Sequence, residues 1–165
     1  MITVEINGEE RQYPQGATYE DVANDYQKEY DNLIALAARD GKIRELFKKL
    51  TRDCEITFFT LKDDVGNKTY VRSATMLFLK AVFDVFGRET VQNCRVEFAI
   101  GNGSYISPKG KINATEENAA KIRNRMRELV EAKTPFLKKS YSLDNAMELF
   151  RREGMKDKEK LFRYR

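Results

Sequence analysis

Residues 2–23 read ITVEINGEERQYPQGATYEDVA, and their pattern decides the first half of the fold. Ile2, Val4 and Ile6 alternate with polar residues, which places them on one face of a strand. Asn7-Gly8 supplies a two-residue turn whose centres both take positive φ. A short return strand follows around Arg11 to Tyr13, and Pro14-Gln15-Gly16 stops it. Thr18 with Asp21 three residues later makes a capping arrangement, Asp standing for the usual Glu, and opens a helix to about Tyr30. Tyr19, Val22, Ala23 and Tyr26 give that helix a buried stripe. Farther on, Leu33 to Ala37 is a candidate strand, Asp40-Gly41 a second hairpin turn and Glu55 to Thr60 another strand. A small sheet with one helix laid across it accounts for the whole segment.

The whole chain has 165 residues, enough for one ordinary domain or two small ones with a core that needs no metal or disulfide. Histidine is absent. Ser-His-Asp and Cys-His nucleophiles, imidazole acid–base chemistry and His-ligated zinc are therefore excluded. The two cysteines, Cys54 and Cys94, form no CxxC, so a disulfide framework and a four-cysteine zinc site are excluded too and a reducing cytoplasm is expected. No run of 18 apolar residues exists, and the first residues, MITVEINGEE, carry acids; neither secretion nor membrane spanning is expected. The net charge of +4 hides an asymmetry: residues 1–66 hold 9 Lys and Arg against 14 Asp and Glu, the remainder 21 against 12. Two units with different partners are implied.

Lys62 to Asn67 is polar, turn-prone and contains Gly66, which sets the boundary between a unit at 1–62 and a second at 68–165. In the second unit Ser73 is placed to cap a helix, apolar over most of its circumference from Met76 to Phe86 and closed by Gly87, hence a central buried helix. Val91 to Ile100 reads as a strand with Val96, Phe98 and Ile100 in alternation, turned by Gly101-Asn102-Gly103, with Ser104-Tyr105-Ile106 returning. Thr115 caps a long helix to about Ala132, with Ala119, Ile122, Met126, Leu129 and Val130 inward; Thr134-Pro135 ends it. Phe136 to Tyr141 is a short strand, Ser142 caps another helix that Gly154 closes, and Lys156 to Lys160 is a charged helix or a fray.

The order VEINGEERQYPQGATYEDVA, LIALAARDGKIRELFKKL, DCEITFFT resembles a TGS domain, the small ubiquitin-like β-grasp module of threonyl-tRNA synthetases and certain GTPases, over roughly residues 1–61. The second unit resembles the second additional, editing domain of threonyl-tRNA synthetase: VRSATMLFLKAVFDVFG is similar to its helix, VEFAIGNGSYI to its strand and glycine turn. In relatives with editing activity that helix begins His-Ser-x-x-His, and Arg72 and Met76 stand where the two histidines would be. An arginine and a thioether at i, i+4 cannot replace a pair of neutral imidazoles. The resemblance therefore implies an α+β chain that keeps the scaffold without its metal-binding or hydrolytic chemistry. The combination also resembles the amino-terminal region of bacterial uridine kinase-family proteins, which implies a longer polypeptide with a P-loop kinase domain to follow. ATP and Mg would belong to that domain, a phosphotransferase; this chain would hold no cofactor, metal or catalytic site.

The kinase loop itself is not here. Its nearest approach, GSYISPKGKI, has six residues between Gly103 and Gly110 where four are required, and Ile112 in place of the hydroxyl. The expected activity is thus recognition or regulation, with the C-terminal kinase domain of the same polypeptide as partner. The alternatives are a retained aminoacyl-tRNA editing hydrolase and a stand-alone RNA-binding module. Candidate cations for RNA or a small anion are Lys121, Arg123, Arg125 and Arg127 on the long helix, with Lys138, Lys139, Arg151 and Arg152; Arg72 and Lys80 are candidates for an anion in the vestigial cleft. The opposing reading is a solvated helix face, partly neutralised by Glu117, Glu128 and Glu131. Cys54 and Cys94 read as quiet, partly buried thiols.

Overall fold

A computed structural model describes residues 1–101, 103–108 and 112–164. Asn102 of the expected glycine turn and Gly110 of the near phosphate-loop stretch lie outside them. The chain is α+β and divides into two compact units, Met1–Met76 and Leu77–Arg165.

In the first unit β1 (Ile2–Ile6) and β2 (Glu9–Tyr13) form an antiparallel hairpin in which Ile2 faces Tyr13 and Ile6 faces Glu9. Asn7 at φ 53° and Gly8 at 83° make its turn. Helix α1 (Tyr19–Tyr26) starts with a full capping box: Thr18 Oγ1 accepts from the Asp21 N–H at 3.1 Å, and the Thr18 N–H donates to Asp21 Oδ2 at 2.7 Å. The next free amides of the helix start, on Tyr19 and Glu20, donate to the carbonyls of Lys48 and Leu46, so a loop satisfies them. The helix gives way to a 3-10 turn at Gln27–Glu29. Strands β3 (Ile34–Arg39) and β4 (Lys42–Arg44) join through Asp40-Gly41, again both at positive φ. With β5 (Cys54–Thr60) the sheet runs β2-β1-β5-β3-β4, β1 and β5 parallel and the other pairs antiparallel. This order, with α1 across it, is the β-grasp arrangement that the TGS resemblance implies. Val4, Ile6, Tyr19, Val22, Tyr26 and Ile56 are buried at its centre.

Helix α2 runs from Asp64 to Phe86, longer than expected. Asp64 to Asn67, read as turn, are its first residues, and Ser73, read as its cap, lies inside it with its hydroxyl donating to the Thr69 carbonyl at 3.1 Å. The start is instead secured by Asp63, whose carboxylate accepts from the Thr60 N–H at 2.7 Å and whose carbonyl accepts from the Asn67 N–H at 2.8 Å. Gly66 does not break the helix; a Cβ there would lie 2.0 Å from the Thr60 carbonyl oxygen, so glycine is what lets the first turn sit against the end of β5.

In the second unit α3 (Arg88–Asn93) takes the beginning of the expected strand, and β6 (Cys94–Ile100) pairs antiparallel with β7 (Gly103–Pro108). A register shift between Val96 and Phe98 sets Val96 opposite Ile106 and Phe98 opposite Tyr105, so Val96 and Phe98 face opposite ways and the expected shared apolar face does not form. Phe98 stacks on Tyr105 with centroids 5.2 Å apart, and both are exposed. On α2, Ala81 and Val82 are buried but Phe83 is 42% exposed, so this stretch is not the fully buried helix expected. A two-stranded sheet is too narrow to cover it all round. Helices α4 (Glu116–Glu131), α5 (Leu143–Arg152) and α6 (Lys156–Phe162) follow. Thr115 and Ser142 cap α4 and α5 as expected, accepting from the Asn118 and Asn145 N–H groups. Phe136 to Tyr141 is not a strand, because no described strand edge pairs with it. No helix among the described residues is long and apolar enough to cross a membrane.

Candidate functional site

The second unit contains a cavity of about 580 Å³ built on α4. Ala119, Ile122 and Met126, one helical face, line it with Phe78 and Val82 of α2 and Ile106 of β7. The sequence places these α4 residues against a packed core. They line open space that Cys94, Ser104 and Ile106 of the hairpin border without filling. Asn113, Thr115, Glu116, Asn118 and Arg123 form the polar part. Within it Thr115 Oγ1 is occupied by the Asn118 N–H, and Asn118 Nδ2 donates to the Asn113 carbonyl at 3.0 Å. Arg123 lies 3.6 Å from Glu116. Burial pushes the Cys94 thiol up, away from thiolate, and the same holds for Cys54 in the first unit.

The sequence did not point to this cavity. Its apolar face was legible in the spacing of α4, but Cys94, Ser104 and Asn113 carry no local signal of a site.

The expected cations are mostly engaged with acids. Lys80 and Arg125 both hold Asp84, Arg125 Nε at 2.9 Å, and Arg125 also donates to Glu128 at 2.8 Å. The bond from Lys80, followed by that from Arg125, holds the Asp84 carboxyl below the usual carboxylate range. Lys121 bonds Glu117 at 2.7 Å, lowering that carboxyl as well. Arg127 and Lys139 are exposed; Lys138 is exposed and has an interaction of its own. Arg151 pairs with Glu159 at 3.3 Å and Arg152 with Glu153 at 3.5 Å. Arg72 is exposed on the part of α2 that belongs to the first unit, one turn from Met76, which is 60% exposed. Thus α4 brings Lys121, Arg123, Arg125 and Arg127 onto one element, Arg125 joins Lys80 through a shared carboxylate, and Arg72 lies in the other unit. Among the described residues no three His, Cys, Asp or Glu side chains gather as a metal-holding group.

No protein-family model matches the sequence. Curated proteins do. The chain is 29% identical over 154 residues to the threonine–tRNA ligase of Thermotoga maritima, covering 91% of this chain and 23% of that protein. Against the threonine–tRNA ligase of Maricaulis maris it is 29% identical over 164 residues, 99% of this chain and 25% of the relative. Against that of Pelagibacter ubique it is 26% identical over 148 residues, 90% and 23%. The chain spans about a quarter of the length of these relatives, and along nearly all of its own length it is similar to threonine–tRNA ligases.

Proposed function

We propose that this chain is a non-catalytic recognition module, a TGS-like unit followed by an editing-like unit, that serves a catalytic domain elsewhere in a longer polypeptide. One observation carries the reading: a chain similar along nearly all its length to threonine–tRNA ligases contains no histidine. Without imidazole, the polar groups left on α2 at the editing positions are an arginine and a thioether, and neither shuttles a proton at neutral pH. The scaffold is kept while the proton carriers are gone, so binding is the activity left to it. In its finer form the reading makes the parent a uridine kinase-like phosphotransferase using ATP and Mg, a step that rests on the sequence resemblance to the amino-terminal region of that family alone.

Mischarged tRNA, incubated with the chain, is expected to deacylate at the rate of buffer alone. Turnover above that rate, lost on Arg72→Ala, would overturn the reading in favour of a retained hydrolase. The finer form is tested on a natural polypeptide that carries this chain, by ATP-dependent phosphorylation of uridine.

A further inference from the structure

We infer that the α4 cavity of the second unit is a binding site for an uncharged small molecule with an apolar body and one hydrogen-bonding edge. The volume, about 580 Å³, is that of a small-ligand pocket. Phe78, Val82, Ile122 and Met126 supply an apolar floor. The half-buried Cys94 thiol and the exposed Ser104 hydroxyl and Asn113 side-chain amide line the cavity and are engaged in no side-chain hydrogen bond among the described residues. They are neutral groups able to donate and accept. Among the described residues of the lining, the one cation, Arg123, stands 3.6 Å from the one carboxylate, Glu116. The pair is exposed and offsets its own charge, so the described lining offers a charged ligand no unshared opposite charge, and its remaining polar groups suit a neutral one. This site rests on the recognition reading only for the expectation that its ligand is not consumed.

The test uses three probes with one aromatic body: 2-naphthamide, 2-naphthoate and 2-naphthylmethylammonium, titrated into the full chain labelled on its methionine methyl groups and backbone amides. The amide is expected to shift the Met126 methyl and the Ala119 and Ile122 amides saturably, and to bind about tenfold tighter than either charged probe, a difference of about 1.4 kcal/mol. Ile122→Trp, which fills the cavity, is expected to abolish those shifts. In the unmodified chain the amide is expected to slow iodoacetamide alkylation of Cys94 while that of Cys54, in the other unit, is unchanged. Equal affinity for the three probes, shifts confined to other residues, or unprotected Cys94 would overturn the site. Deacylation of mischarged tRNA would overturn the recognition reading and leave this result standing.

Discussion

At the scale of single residues, Gly66 shows how one atom decides where a helix begins. Glycine inside a helix ordinarily costs stability relative to alanine. Here alanine would bring a Cβ within 2.0 Å of the Thr60 carbonyl oxygen, a backbone atom that cannot swing aside. Gly66→Ala is therefore expected to destabilise the first unit by about 1–3 kcal/mol, against the helix propensity trend. Urea unfolding followed by circular dichroism checks it, and an unchanged or raised midpoint would show that β5 and α2 separate freely. The same residue explains a misreading: in sequence, Gly between polar residues is the mark of a linker, and the close approach that requires it is a tertiary fact.

Among the elements, those closed by local chemistry were the legible ones. Asn7-Gly8, Asp40-Gly41 and the Thr18/Asp21 box each contain their whole cause within four residues, and each is where the sequence placed it. The faces of β6 and the Phe136 to Tyr141 segment were not legible, because a bulge and the presence of a pairing edge are set by the partner strand. The cavity was legible only in part for the same reason: α4 shows its apolar face, not the size of what opposes it. Strand β2 and helix α1 are tied by the Tyr13 hydroxyl, which donates to Asp25 Oδ2 at 3.0 Å. Burial, then this bond, pushes the Tyr13 phenol up to about 12. The raised value sets the sign: below pH 10 both folded and unfolded chains keep the proton and the stabilisation is whole. Between pH 10 and about 12 the unfolded chain releases the proton first, so stability falls as pH rises. Tyr13→Phe is expected to make the first unit less sensitive to pH in that window, measured as the slope of the unfolding midpoint against pH; an unchanged slope would remove Tyr13 from the cause.

For the whole molecule, burial and charge divide along the same line. The first unit carries the acidic excess and a continuous core from Ile2 to Phe58, with Val4, Val22 and Ala37 wholly enclosed. In the second, among the described residues, only Ala81, Val82 and Leu129 are buried apolar side chains, while Phe98, Ile100 and Tyr105 are exposed. Stability follows apolar area removed from water, and a two-stranded sheet adds little of its own. The two units are therefore expected to unfold in separate thermal transitions, the second unit at the lower temperature. Calorimetry on the full chain would resolve both: Ile122→Trp should move only the lower transition and Gly66→Ala only the upper. Amide exchange should agree, with β1, β3 and β5 outlasting β6 and β7. One cooperative transition, moved by either substitution, would mean that the chain folds as a single body and that the sparse core of the second unit does not act alone.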